Sequence, residues 1–424
     1  MCALFCRSRS PNLPLLWGTP ARVDRGQDSL FNAFGSSCRC LAPPRDEAMP
    51  RIHHPVVELK RSFGQAEEER TVPLPDPQTR VPTTVCAVAG LIAALVPVNA
   101  FSQQIESEKL IEAGHWKKAR AAVVIRIRQS PGDAFSYYLL SQIHHAFGDD
   151  AAPQALAEKA VALDGRVAKY HRQLAETVGI QAQHANPFQL VVLARQFRKE
   201  LDTAIALDPH DVLAQRDLLE YYLVAPGIAG GDVQKASAVA DHIAELDATE
   251  GLLAKARVAQ FRKQTAQTEA LLRKAVDTQP SNYKARIEWT RFCLTKLRSE
   301  RSESASAATE TAAREALKLD RSRAEPYAIL AEVYAGRSDW NTLEATLADA
   351  AQQAPDDLAP WYRAAETLLA LGREPARAER YLRTYLAQEP EGNEPTLADA
   401  RRKLDLAVQA QNGGTRVHNA RADR

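Results

Sequence analysis

Outside the amino-terminal leader, the one pair of neighbouring histidines is His144 and His145, and their spacing defeats a metal or acid–base role. Residues i and i+1 on a helix point to different faces, so the two imidazoles would not converge. The chain holds no HExxH and no GxSxG, the patterns that would put a zinc site on a helix or a nucleophile on a sharp turn. Cys38 and Cys40 are one residue apart with no second pair at finger spacing, which makes a poor zinc site. Cys293 has no histidine arranged around it and is expected to be a small buried hydrophobe. No catalytic residue, metal or cofactor is therefore expected.

The segment APGIAGGD at 225–232 is the strongest imitation of a phosphate loop, because Gly230, Gly231 and Asp232 lead into a helix whose free amides could hold an anion. No Lys-Ser or Lys-Thr follows, and no strand precedes it. Asp232 would repel phosphate and serve better as an N-cap.

Composition narrows the function classes further. The 424 residues carry 54 Lys plus Arg against 53 Asp plus Glu. A nucleic-acid binder needs a one-signed surface, so no nucleic-acid partner is expected.

The elements that would position any site begin late. Residues 1–83 show no sustained periodicity and hold prolines at 11, 14, 20, 43, 44, 50, 55, 73, 75, 77 and 82, which forbids long regular elements. This region reads as a disordered leader, or as sequence upstream of a true start at Met49 or another codon. Residues 84–100 contain the apolar run VCAVAGLIAALVPV at 85–98, too short for the ~20 residues of a spanning helix. Arg80 precedes it, and Val98-Asn99-Ala100 offers small residues for cleavage after Pro97, the layout of a Sec-type signal. A mature chain starting near Phe101 is expected to be periplasmic or secreted, with no stable membrane span once the signal is removed; a cytoplasmic location is the alternative. Only Cys293 would remain, so no intrachain disulfide could form.

From Phe101 onward the chain repeats. Pro131, Gly165, Pro209, Ala248, Pro280, Arg321, Pro355 and Pro390 mark equivalent turns, at intervals of 34, 44, 39, 32, 41, 34 and 35. The copy at 324–357 has Tyr327, Leu330, Ala331, Tyr334, Trp340, Leu347, Ala350 and Pro355; the last has Trp361, Ala365, Gly372, Ala378 and Pro390. These residues resemble the tetratricopeptide repeat, a 34-residue helix–turn–helix. The resemblance implies an all-α fold: a right-handed superhelix of about eight units over 101–392, a capping helix over 393–411 and a tail over 412–424. Small residues such as Ala119, Ala160, Ala204, Ala275, Ala316 and Ala350 should let helices approach closely. The fifth copy is the weakest, with Lys255, Arg257 and Thr268 where apolar or small residues are usual. The segment around 225–232 also resembles an insert recurring in a bacterial subgroup of the family.

The excess over 34 lies at 179–189, 225–232 and 298–310. The last of these is polar and is expected to be flexible. By the resemblance, the first helix of each unit lines a concave groove. Its partner-facing residues would include Tyr138, Glu176, Glu220, Arg257, Arg291, Glu332, Tyr362 and Glu366. Arg172 and Glu176 are spaced to pair at i,i+4, while Arg257 and Arg291 are expected to face solvent. The implied function is a non-catalytic scaffold holding a protein or peptide in that groove, in the cell envelope. The alternative is an accessory subunit or enzyme with a site in the loops at 179–189 and 225–232.

Overall fold

Why the array is helical is visible at its turns, where short polar side chains end one helix and start the next. The computed structural model describes residues 106–149, 152–392 and 395–422; the leader, the signal region, the expected cleavage site and Phe101 lie outside the described residues. Helix α1 is described over 106–112 and pairs with α2 (Trp116–Gln129). Seven further hairpins follow: α3 (Ala134–Ala146) with α4 (Ala152–Leu163), α5 (Ala168–His184) with α6 (Pro187–Leu207), α7 (Val212–Val224) with α8 (Val233–Leu246), and α9 (Ala248–Phe261) with α10 (Thr265–Thr278). The last three are α11 (Tyr283–Glu300) with α12 (Glu303–Leu319), α13 (Ala324–Arg337) with α14 (Trp340–Gln353), and α15 (Ala359–Ala370) with α16 (Pro375–Tyr385). Helix α17 (Leu397–Ala422) packs on α16. Among the described residues there is no strand, and successive hairpins stack through their first helices, as α5 does on α7 and α13 on α15.

Side-chain caps take up amides that the first turns leave unpaired. Asp211 accepts from Leu213 and Ala214, Asp247 from Glu250, Asn282 from Ala285 and Asp339 from Thr342. Asp232 accepts from Gln234 and Lys235, the N-cap role expected of it. Ala119, Ala160, Ala204, Ala275, Ala316 and Ala350 are all fully buried, as close helix approach demands. Cys293 is buried, and burial pushes its thiol up to about 11. The weak fifth copy still folds as a hairpin; Thr268 is buried with its hydroxyl on the Gln264 carbonyl, and Lys255 pairs with Asp241 at 2.9 Å.

Two expectations about the inserts need correction. Residues 179–189 and 298–310 are not loops but lengthened helices. Asn186 and Gln189 form a capping box that starts the 21-residue α6 with Pro187 in its first turn. Gly179 lets α6 approach, since a Cβ there would sit 3.1 Å from the Phe197 ring. Ser302 caps the Ala-rich α12, so the polar run is helical apart from one turn at Arg301. Helix α17 likewise runs on through 412–422, where a tail was expected. Gly413 and Gly414 each cost a helix about 1 kcal/mol, and no proline follows to stop it.

The first hairpin also meets the turns that follow α14 and α16. The Lys117 backbone N–H donates to Glu391 Oε1 at 2.6 Å. Its ammonium donates to the carbonyls of Asp356 at 2.6 Å and Glu389 at 2.8 Å. Lys118 pairs with Asp356, Arg120 with Glu389, and Arg323 donates to the Glu112 carbonyl. His115, the N-cap of α2, makes no side-chain cap bond. A carboxylate from 274 residues away therefore caps α2.

Candidate functional site

The first helices place Glu176, Glu220, Arg257 and Arg291 on α5, α7, α9 and α11, the adjacent order expected. What they do there differs from the expectation. Arg257 is 9% exposed and clamps Glu220 with two hydrogen bonds of 2.8 and 3.0 Å. Arg291 holds Glu325 at 2.6 and 2.7 Å and Glu288 at 2.9 Å. Neither arginine stands free in solvent. Glu332 receives Arg298 at 2.6 and 2.7 Å, Glu366 receives Arg363 at 2.7 Å and Lys403 at 3.2 Å, and Tyr362 is buried with its hydroxyl on Asp399. Lys284 joins Glu250 at 2.7 Å. Most of these partners are 34 to 37 residues apart, one repeat along the chain. Stacked equivalent helices thus bring like positions together, and a charge meets its opposite on the next hairpin.

Burial sets the electrostatics of this wall. It raises the Glu220 and Asp217 carboxyls above their ordinary range. It lowers the Lys284 ammonium to about 8, with Arg216 adding repulsion and Glu250 opposing both. For Arg291 burial works against the charge, but Glu325 and Glu288 outweigh it and hold the pKa above its usual value.

The two remaining predicted residues, Tyr138 and Glu176, are quieter. Tyr138 is buried against Phe135 and Tyr170, with the Lys169 ammonium over the Phe135 ring at 4.3 Å and the Tyr138 ring at 5.3 Å. Arg172 does not pair with Glu176; it turns to Asp217 at 3.5 Å and Asp211 at 3.9 Å on the next hairpin. Glu176 is half-buried, and burial pushes its carboxyl up to about 8 against the pull of Arg172.

The segment 225–232 is a closed knot of hydrogen bonds. Amides of Ala229 and Gly231 donate to Pro226, that of Gly230 to Gly227, and that of Asp232 to Tyr222. The Tyr221 hydroxyl donates to the Ala229 carbonyl. Gly230 has φ +100°, and a Cβ on Gly231 would lie 1.8 Å from the Ala225 carbonyl oxygen, so both positions require glycine. These amides are spent on the turn itself, which leaves no phosphate cradle. Within it, a short 3₁₀ turn, Gly227–Ala229, packs on α6 and holds Ile228 out in water at 85% exposure.

On α6, Phe188 is 88% and Val192 62% exposed. Phe188 lies within the 179–189 segment that the sequence offered as an alternative site, whereas Val192 was missed. The signal for both was their place opposite Phe197, Leu201 and Ala204, which α6 buries.

No family model matches the chain, and no curated protein matches it. Among solved structures, it is similar to a thermophilic TPR protein in Thermus thermophilus, with 18% identity over 45% of this chain and 97% of that one, TM-score 0.40. It is similar to yeast Tom70, with 13% identity over 72% of this chain and 60% of that one, TM-score 0.48. A tetratricopeptide repeat protein from Parabacteroides merdae is 12% identical over 72% of this chain and 98% of that one, TM-score 0.33. This chain has a tetratricopeptide-like helical repeat fold. Its helices are built as stacked hairpins with small residues at the close approaches. Among the described residues, no helix is long and apolar enough to cross a membrane and no group of three or more candidate ligands gathers as for a metal.

Proposed function

We propose that this repeat solenoid is a non-catalytic scaffold that holds a protein or peptide partner. The observation that carries this reading is the exposure of Phe188 and Val192, neighbours at i,i+4 that line one cleft on α6, in an array whose inner-wall charges are largely satisfied among themselves. Large apolar side chains gathered in water are a feature of interaction surfaces. Inside the array, Glu176 is the predicted inner-wall position that supports a second contact area, because it is half-buried and has no ion pair with a described residue. The test is purification of the native protein under mild crosslinking. A stoichiometric protein partner is expected, and recovery of small molecules alone would overturn the reading.

Export is part of the same proposal. Arg80, the apolar run at 85–98 and Ala100 support signal cleavage and delivery to the periplasm or beyond. Amino-terminal sequencing of the native protein should find a start at or near Phe101; residues 1–100 intact on the native chain would refute it.

A further inference from the structure

We infer that the outer face of the third and fourth hairpins docks an acidic peptide segment of a partner protein, one that carries apolar anchor residues beside its carboxylates. The inference rests on the scaffold reading above and gives that scaffold a partner chemistry.

Phe188, Val192, Arg195 and Lys199 follow one another at steps of four, three and four along α6, so they form one stripe. The stripe is apolar where α6 begins and cationic further along. At its apolar end, the close of α5 and the start of α6 leave an open cleft of about 650 Å³, lined by Ile180, Gln181, Ala185, Phe188, Val192 and Leu193. A second hollow of about 690 Å³ adjoins Arg195, Lys199 and Tyr221. Of the two acids in this stretch, Asp202 is taken by Arg198 at 2.7 Å and Glu200 by His171 at 2.8 Å, and Arg198 also donates to the Tyr222 hydroxyl. Arg195 and Lys199 are exposed and form no ion pair with a described residue. The turn that packs on α6 holds Ile228 exposed as well, though outside the lining of either hollow. Apolar anchors already held out and a cationic neighbour lower the ordering cost of binding and select an acidic segment.

A bilayer fits this surface less well. Anionic membranes are recognised by clusters of roughly four to eight basic residues, whereas the stripe offers Arg195 and Lys199 beside a concavity that takes side chains.

Selection of a displayed random-peptide library on the full-length protein tests the inference. Wild type should enrich peptides that place Leu, Ile, Phe or Trp beside Asp or Glu. Phe188→Asp combined with Val192→Asp should weaken the best of them by roughly tenfold or more, as loss of central anchors does. Arg195→Glu combined with Lys199→Glu leaves the apolar cleft in place and should turn the enrichment from acidic to basic sequences. All four side chains are exposed, and unchanged circular dichroism checks that each variant stays folded. Peptides whose binding survives both double substitutions would overturn this site while leaving a peptide scaffold. Enrichment of no peptide at all would overturn both readings. Binding to phosphatidylcholine vesicles carrying about one-third phosphatidylserine, or self-association in sedimentation velocity, would overturn the peptide if Phe188→Asp abolished it.

Discussion

The last three hairpins and the cap differ from the third and fourth hairpins in how their interiors connect. From Ile287 to Ala407 the buried apolar residues form one continuous cluster, which runs through Tyr334, Leu347, Leu368 and Tyr385. The third and fourth hairpins have separate clusters, one around Phe197 and Leu201 and another around Leu219 and Ile243. Intervals of 34 and 35 in the final copies keep equivalent positions level, so apolar and charged side chains both meet their counterparts. In the third and fourth hairpins, where α6 lengthens and a glycine turn intervenes, the core divides and apolar side chains are carried outside. The lengthened α11 and α12 still join the continuous cluster through Ile287, Leu294 and Ala313. The regular region is built for cohesion; the inserted one has surface to offer.

The largest expected effect comes from breaking the buried pair that ties the fourth hairpin to the fifth, at the edge of the divided region. Arg257→Met leaves the Glu220 carboxylate buried without its clamp and should destabilise by ~3–5 kcal/mol. Adding Glu220→Leu should recover much of that loss. Urea unfolding of the single and double variants decides it; equal losses in both would mean the pair is not coupled.

Leu347→Ala removes a side chain that is 2% exposed in the continuous cluster and should cost ~2–5 kcal/mol. Leu201→Ala in the divided region should cost a comparable amount but separate the unfolding into two transitions, because its buried cluster is distinct from the one around Leu219 and Ile243 and, among the described residues, meets it only through partly buried Tyr222 and Val239. A single shared transition in both variants would erase the contrast.

The junction between the first hairpin and the late turns should respond to pH. Burial raises Glu391 to about 7, opposed by Lys117, and raises half-buried Asp357 to about 6, opposed first by the Ala359 amide. Carboxyls whose folded pKa lies above the unfolded value hold the proton more tightly when folded. Their contribution is complete below the unfolded value, near 4.5 for Glu and 3.8 for Asp, and is lost as pH rises through about 6 to 7. These two groups should therefore lower stability between pH 5 and pH 8 by an amount on the order of 3–4 kcal/mol. Glu391→Gln should flatten that slope in thermal melts across the range; an unchanged slope would place its origin elsewhere.

Smallest of all is the effect on folding at the outer stripe. Phe188→Ser should change stability by no more than about 0.5 kcal/mol, because the ring already stands in water. Arg298→Ala, at the exposed end of its pair with Glu332, should cost only ~0–1 kcal/mol. A larger loss at Phe188 would show that the ring is packed in solution.

Much of the fold was legible because its signals are local. The close-approach alanines, the turn markers and Asp232 as an N-cap each depend on residues within one or two helical turns. The helical inserts were harder. Residues 298–310 look like a loop by their serines and charges, yet Ser302 is a cap and the alanines that follow it are strong helix formers. The candidate surface was half legible: Phe188 and Val192 stand opposite the face that buries Leu201 and Ala204, but nothing in the pattern shows that the turn carrying Ile228 packs on the same helix.

The sequence by itself determined the number of hairpins, their small-residue contacts and the positions that line the wall, since each follows from periods of 3.6 and about 34 residues written along the chain. Only the tertiary structure decided what those positions touch. Arg172 prefers Asp217 to Glu176 because the next hairpin brings a carboxylate near it. Glu391 caps α2 because small rotations between hairpins accumulate until the late turns meet the first hairpin. That sum depends on every interface between the two contacts, and no local pattern records it.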